Sequence, residues 1–278
     1  MHTEYNSPSK TLGPQAARLV VELHERGRLT FSLEEVSEIT GLPEKSTRQF
    51  MQKLVERGIA ARLRPGLYSL VPFEMGRERE YLGNPYLVAR ELARTEDYFV
   101  SHASAMDLHQ MVTQPQLVVY ASSPRQIRGR NVLGMEFRFV RIKLDHLFGT
   151  TEMWIDKRET VVVSDLERTI VDGLKHPAYC GGFTEVAKGL WMRREDIDVG
   201  RLVEYALRLD VGAVIRRLGF LLEIYEIDAP QEIKLLRRSL TSTYHWLDPT
   251  LPHEGPSTAR WRLRMNISPE EILRAPTT

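Results

Sequence analysis

The stretch "FSLEEV", Phe31 to Val36, fixes a helix start more tightly than any other segment of the chain. Ser32 and Glu35 stand three residues apart, so each can satisfy the other's free backbone N–H as a capping box, and Phe31 and Val36 take the positions of a hydrophobic staple. The helix that begins there runs to about Thr40 and stops at Gly41, and Pro43 opens another only a few residues later. Upstream, Pro14 and the apolar positions Ala16, Leu19, Val20 and Leu23 predict a first helix with a single buried stripe, ending at Gly27. Two helices joined by so short a Gly-containing turn make a helix-turn-helix. Gly58 closes the third helix, and "IAARLRPGLYSL" follows as strand, Pro65-Gly66 type II turn and strand. The expectation for residues 1–75 is a winged helix-turn-helix whose wing is tipped by Arg62 and Arg64.

With 38 Lys and Arg against 37 Asp and Glu, the formal net charge is +1, so no global field draws the chain to nucleic acid. Any such binding has to come from a local patch. At about 100° per residue, the third helix places Thr47, Phe50, Met51 and Leu54 on a packing side. The opposite side carries Lys45, Arg48, Gln49, Gln52 and Lys53, long donors suited to base edges and phosphates in a major groove. The competing readings are a solvated polar face and a helix-turn-helix that docks protein. The cap, the tight turn, the cationic helix face and the basic hairpin in this order favour DNA.

Residues 72–82 break both periodicities and read as a linker, so the second domain is expected over 76–278. Asn84 and Pro85 start a helix; "YFVS" reads as a strand; Ser101 caps "HASAMDLHQM"; and strands are expected at "LVVYA", "FRFVRI", "EMWID" and "TVVVS", the last two forming a hairpin around Lys157 and Arg158. From Asp165 onward helices dominate, at 165–174, 183–194, 199–209 and 211–225, before a strand "RWRLRMN" and a short helix capped by Ser268 and Glu271. The fold class is thus α+β: the N-terminal winged helix-turn-helix, then a larger mixed α/β domain with a helical C-terminal part.

Chemistry is sparse. No phosphate-binding glycine loop, dinucleotide fingerprint, HExxH or CxxC is present, so no cofactor or metal is expected. His102 and His109 share a helix face without a third ligand, and the lone Cys180 has no assigned role. Asp165, Glu167 and Asp172 in "VVVSDLERTIVDGL" raise the alternative of a metal-dependent nuclease. A Ser164/Glu167 capping box and an anion at the helix N-terminus explain the same residues without catalysis, and the chain is read as no enzyme. Arg125, Arg128 and Arg130 in "SSPRQIRGRN" form a possible additional nucleic-acid contact. The first ten residues carry no apolar core of signal-peptide length, and no apolar run approaches the roughly 20 residues a bilayer requires. A cytoplasmic protein without a membrane segment is expected.

In order along the chain, "RPGLYSL", "NPYLVARELA", "YFVSHASAMDLHQM", "VVYASSPRQ", "FRFVRI", "VVVSDLERTIVDGL", "GGFTEVAKGL" and "AVIRRLGFLLE" together resemble the AbiEi family of antitoxins. Leu166 stands where relatives usually have proline after the Ser-Asp pair. The resemblance implies a bicistronic toxin–antitoxin, abortive-infection system of type IV. The winged helix would bind operator inverted repeats in double-stranded DNA and repress its own operon. The C-terminal domain would counter a cognate nucleotidyltransferase-like toxin, without requiring a stable complex. Carried onto this sequence, the operator contacts are Lys45, Ser46, Arg48, Gln49, Gln52 and Lys53, with Arg62 and Arg64 on the wing. The alternative within the same architecture is a solitary transcriptional repressor whose C-terminal domain is a sensor or an oligomerisation module.

Overall fold

A computed structural model describes residues 12–76, 78–112 and 117–275; the N-terminal decapeptide lies outside them. The fold is mixed α+β. In chain order the elements are α1 (Pro14–Glu25), β1 (Thr30–Ser32), α2 (Leu33–Thr40), α3 (Glu44–Glu56), β2 (Ala60–Arg64), β3 (Leu67–Leu70), α4 (Pro85–Ala93), β4 (Phe99–Val100), α5 (His102–Leu108), β5 (Val118–Ser123), β6 (Arg130–Val132) and β7 (Met135–Arg141). They continue with β8 (Thr150–Trp154), β9 (Thr160–Ser164), α6 (Leu166–Lys175), α7 (Phe183–Met192), α8 (Val199–Leu209), α9 (Gly212–Ile224), α10 (Pro230–Arg238), β10 (His245–Trp246), β11 (Ser257–Thr258), β12 (Leu263–Arg264) and α11 (Pro269–Arg274). No described helix is long and apolar enough to cross a membrane.

The chain divides into two compact units. The first comprises Met1–Arg94, Gly129–Phe137 and Trp154–Val161, and the second the remaining segments. In the first, Leu19 and Leu23 of α1, Phe31, Val36 of α2, and Met51 and Leu54 of α3 are all but excluded from water and share one core with Ile59, Tyr68 and Leu70. Each fully buried side chain of this size contributes about 1.5–3 kcal/mol. The Ser32 capping box is formed in both directions, Glu35 N–H to Ser32 Oγ at 3.2 Å and Ser32 N–H to Glu35 Oε2 at 2.7 Å. Phe31 also does something a staple does not require: it lies in β1, antiparallel to β3 in a sheet of order β1-β3-β2. Arg64 pairs with Leu67, leaving Pro65 and Gly66 as a two-residue turn with Gly66 at φ +78°, where a side chain would be strained.

Ion pairs hold the later segments of this unit in place. Arg90 Nη2 reaches Glu159 at 2.5 Å and Glu91 at 3.1 Å, and Arg28 lies within 4 Å of Glu35, Glu91 and Glu159. Arg158 donates to the carbonyls of His24 and Glu25 at the C-terminus of α1, where His24 O also accepts Gly27 N–H at 3.1 Å.

The second unit contains a sheet of order β7-β5-β4-β9-β8, with β4 antiparallel to β5 and parallel to β9. Helix α6 is its centre: every residue from Glu167 to Leu174 is buried. Its N-cap corrects the sequence reading. Asp165, not Ser164, accepts the cap bond, from Arg168 N–H at 2.8 Å. Ser164 still belongs to β9, so its side chain turns inward to Thr169 Oγ1 at 2.8 Å, while Glu167 accepts from Asp198 N–H at 2.9 Å, at the start of α8. Ser101 likewise gives α5 no side-chain cap; its hydroxyl meets Ser122 Oγ and His102 Nδ1, both at 2.9 Å. The expected "RWRLRMN" strand is reduced to Leu263–Arg264, because Arg262 adopts φ +49° and turns the chain just before it. Helix α10, absent from the sequence reading, begins with Pro230 at its first turn and buries Leu236.

Arg168 is fully buried with its Nε 3.0 Å from Asp172, in ion-pair rather than hydrogen-bond geometry, and its Nη1 donates to the carbonyls of His146 and Phe148. Arg168→Ala leaves a buried carboxylate and two carbonyls unserved, and is expected to lower stability in denaturant unfolding by about 3–5 kcal/mol. The double replacement Arg168→Met with Asp172→Leu is expected to recover most of that loss.

Candidate nucleic-acid interface

The turn between α2 and α3 is held by hydroxyls. Gly41 takes φ +70° after the last turn of α2, and the Leu42 carbonyl then receives Ser37 Oγ–H at 2.7 Å. Thr47 Oγ1–H is shared between that carbonyl and that of Pro43, each at 3.1 Å. The buried Thr47 thus orients α3 from its first turn, with Met51 and Leu54 continuing the inward stripe. Phe50, expected on that stripe, is only half-buried at its margin.

All six α3 residues proposed from the sequence, Lys45, Ser46, Arg48, Gln49, Gln52 and Lys53, are exposed. They are not equivalent. Arg48 is paired to Glu44 at 2.6 Å, and Gln52 donates to Glu56 at 3.0 Å. Lys45, Gln49 and Lys53, four positions apart, form one row. An exposed i,i+4 ion pair contributes about 0.3–0.5 kcal/mol, so Glu44 restrains Arg48 only weakly.

Beside this row lies a groove of about 1460 Å³ walled by the first turns of α2, by α3 and by the β2–β3 hairpin. Arg48, Arg62, Arg64 and Arg94 line it together with Glu34, Glu38, Glu44 and Glu56. Arg62 is exposed on β2, opposite Tyr68. Arg64 is folded back and half-buried: its Nη1 donates to Pro65 O at 3.1 Å and its Nη2 to Glu91 O at 3.4 Å. Burial pushes its guanidinium pKa down, and the charges of Arg94 and Arg130 push it further in the same direction.

Arg130 therefore comes near the hairpin, on β6 of the first unit. Arg125 and Arg128, its neighbours in sequence, are exposed in the second unit, where Arg125 lies 3.6 Å from Asp97. Two features escaped the sequence reading. Arg94 reaches the groove from the left-handed C-cap of α4, at φ +54°. The acids of the groove come from α2 and from both ends of α3, and no periodicity within one helix reveals them.

The other residues considered for chemistry do not converge. Asp165 caps α6 and accepts from Tyr205 O–H at 3.0 Å, Glu167 receives Asp198 N–H, and Asp172 is paired with Arg168. His102 is buried against His176 and Tyr179, whereas His109 Nε2 lies 2.7 Å from the Ser164 carbonyl. Cys180 is buried and its thiol pKa is pushed up by that burial, not exposed as a loop cysteine would be. Among the described residues, no group of three or more His, Cys, Asp or Glu is placed to hold a metal ion.

No protein-family model matches the chain, and no curated protein does. Among solved structures, it is similar to the crystal structure of the RV2827C protein from Mycobacterium tuberculosis, with a TM-score of 0.71 and 17% identity over 98% of this chain and 99% of that one. That likeness covers both units and establishes the fold alone.

Thr47→Val keeps the side-chain shape but removes the hydroxyl that pins α3, and is expected to cost about 1 kcal/mol in denaturant unfolding. Ser46→Ala, exposed one position earlier, is expected to stay within about 0.5 kcal/mol of the parent.

Proposed function

We propose that this chain is a cytoplasmic DNA-binding antitoxin and autorepressor. The first unit is a winged helix-turn-helix that reads operator repeats, and the second counters a nucleotidyltransferase-like toxin encoded beside it. The observation that carries the DNA reading is the row Lys45, Gln49 and Lys53, exposed along α3, with Arg62 also exposed on the hairpin. Lys45 and Lys53 are separated by about 12 Å along the helix axis, comparable with the roughly 12 Å width of the major groove. With α3 in that groove, the lysines reach phosphates on opposite walls and Gln49 between them faces the base edges, where its amide suits adenine. Arg62 extends the phosphate contacts along the hairpin. The acids that line the groove with the arginines keep the local field moderate, which favours a positioned complex over indiscriminate attraction.

The antitoxin half of this reading is supported by the family resemblance of the sequence. In it the second unit acts on the toxin's effect, and α3 regulates supply.

Binding to DNA from upstream of its own reading frame is expected to weaken steeply with salt. Each of Lys45→Ala, Lys53→Ala and Arg62→Ala should lower the slope of log K against log salt by about one. A salt-independent affinity would remove DNA from the proposal. For the second half, the neighbouring reading frame is expressed alone, with the full chain, and with the triple alanine variant. Rescue of growth by both full-length forms is the expected result. A toxic neighbour rescued by neither would replace the antitoxin with a solitary repressor.

A further inference from the structure

A second concentration of charge lies wholly in the second unit. Helix α10 and the segment after β11 face each other across a groove of about 460 Å³, and the cations lining it are Lys234, Arg237, Arg238, Arg260 and Arg262. No acidic residue is among its lining residues, in contrast to the balanced walls beside α3.

Helix geometry accounts for part of this arrangement. Arg237 and Arg238 occupy the last turn of α10, where the helix dipole favours cations. Lys234, one turn earlier, lies at i,i+3 and i,i+4 from them, a spacing at which like charges repel. Arg262 on the facing segment adds to that repulsion, and both arginines of that segment are fixed in place. Arg260 grips both oxygens of Glu223, its Nε lying 2.9 and 2.8 Å from them, and Trp261 Nε1–H donates to the same carboxylate at 2.7 Å. Glu223 is thereby committed to Arg260 and Trp261. Arg262 sits at φ +49° with Nη1 anchored on the carbonyls of Leu240 and Thr241. Guanidinium groups held this way bind an anion without first being ordered.

The floor is not polar throughout. Ile233 and Leu240 line it together with the cations. The volume falls in the range of about 300–1,000 Å³ typical of small-molecule sites, and is too small for a nucleic-acid duplex.

We propose that this groove binds an organic polyphosphate of mononucleotide size. Its phosphates are held by Lys234, Arg237, Arg238 and the remaining donors of Arg262, and its organic part rests on Ile233 and Leu240. Charge-assisted bonds from arginine to phosphate are the strong polar contacts available at such a site. The apolar floor distinguishes an organic phosphate from an inorganic one.

Calorimetric titration of the full chain with adenosine triphosphate, inorganic tripolyphosphate and a single-stranded oligonucleotide tests the proposal. The nucleotide is expected to bind, and tripolyphosphate to bind at least about tenfold more weakly. Lys234→Ala with Arg238→Ala is expected to weaken nucleotide binding at least about tenfold. All three cations of α10 are exposed, so the variant should unfold at the parent midpoint; Arg237→Glu provides a second, charge-reversing check. The proposal is overturned if the nucleotide does not bind at millimolar concentration or the double variant binds it as tightly as the parent. It is equally overturned if tripolyphosphate matches the nucleotide, or if the oligonucleotide binds this face and the mononucleotide does not displace it. The salt slopes of the α3 variants are independent of every one of these outcomes.

Discussion

The second unit depends on one buried cation. The Arg168 guanidinium carbon lies 5.4 Å from the ring centre of Phe99 and 4.4 Å from that of Phe148, and its donors close on Asp172 and on the carbonyls of the 146–148 loop. A strand, a loop and two turns of α6 thus meet at one side chain. The loop is drawn tight enough that a Cβ on Gly149 would press into Tyr205 and into Arg168 itself. Asp165 N–H donates to the Gly149 carbonyl at 2.9 Å, and Tyr205 O–H donates to the Asp165 carboxylate. Burial first, and that hydrogen bond to Asp165 second, push the Tyr205 hydroxyl pKa up to about 12, so it stays a donor throughout the physiological range. An apolar replacement of the ion pair fills the same space but supplies no donors to the loop, which is why recovery by the double replacement is expected to fall short of complete.

The same device recurs in α9. Arg217 donates to Leu174 O at 2.6 Å and Trp246 O at 2.9 Å, and Arg216 to Gly212 O at 2.6 Å and Thr241 O at 2.8 Å. Their partners are carbonyls and, for Arg216, the Thr241 hydroxyl at 2.9 Å, so the charge is solvated by fixed dipoles instead of being neutralised. Burial brings the pKa of Arg217 down to about 10, still far enough above neutrality for the charge to persist. Arginine suits this task because its planar fork reaches two separate acceptors at once. In the first unit Arg64 and Arg158 bond carbonyls in the same way, but other arginines do different work. Arg28 and Arg90 meet carboxylates near the surface, and Arg62 meets solvent.

Elements whose ends are fixed by adjacent residues were legible in the sequence. Ser32 with Glu35, Gly41 after α2, and Pro65-Gly66 between β2 and β3 each act within a few positions, so their geometry follows from local chemistry. The failures are non-local. Ser164 and Asp165 are both competent N-caps, and the pairing of β9 with β4 decides between them by committing Ser164 to the strand. Strand β1 is three residues long and finds its partner, β3, more than thirty positions later. Of the proposed interface, the row on α3 could be read from helical spacing. The approach of Arg94 and Arg130 to the hairpin, and the withdrawal of Arg64 from its tip, depend on contacts no window contains.

A near-neutral chain can still present strong local fields if its charges are sorted by partner. Several acids are paired where they stand: Glu159 with Arg90, Asp172 with Arg168, Glu223 with Arg260 and Glu44 with Arg48. Each such pair sets one cation against one anion, so pairing alone leaves the net charge of +1 unchanged. It does change the distribution. Lys45 and Lys53 on α3, and Lys234, Arg237 and Arg238 on α10, are exposed in two places that the pairing leaves basic. At physiological ionic strength fields decay over about 8 Å, so what a ligand meets is set by this local sorting, and the total charge has little bearing on it.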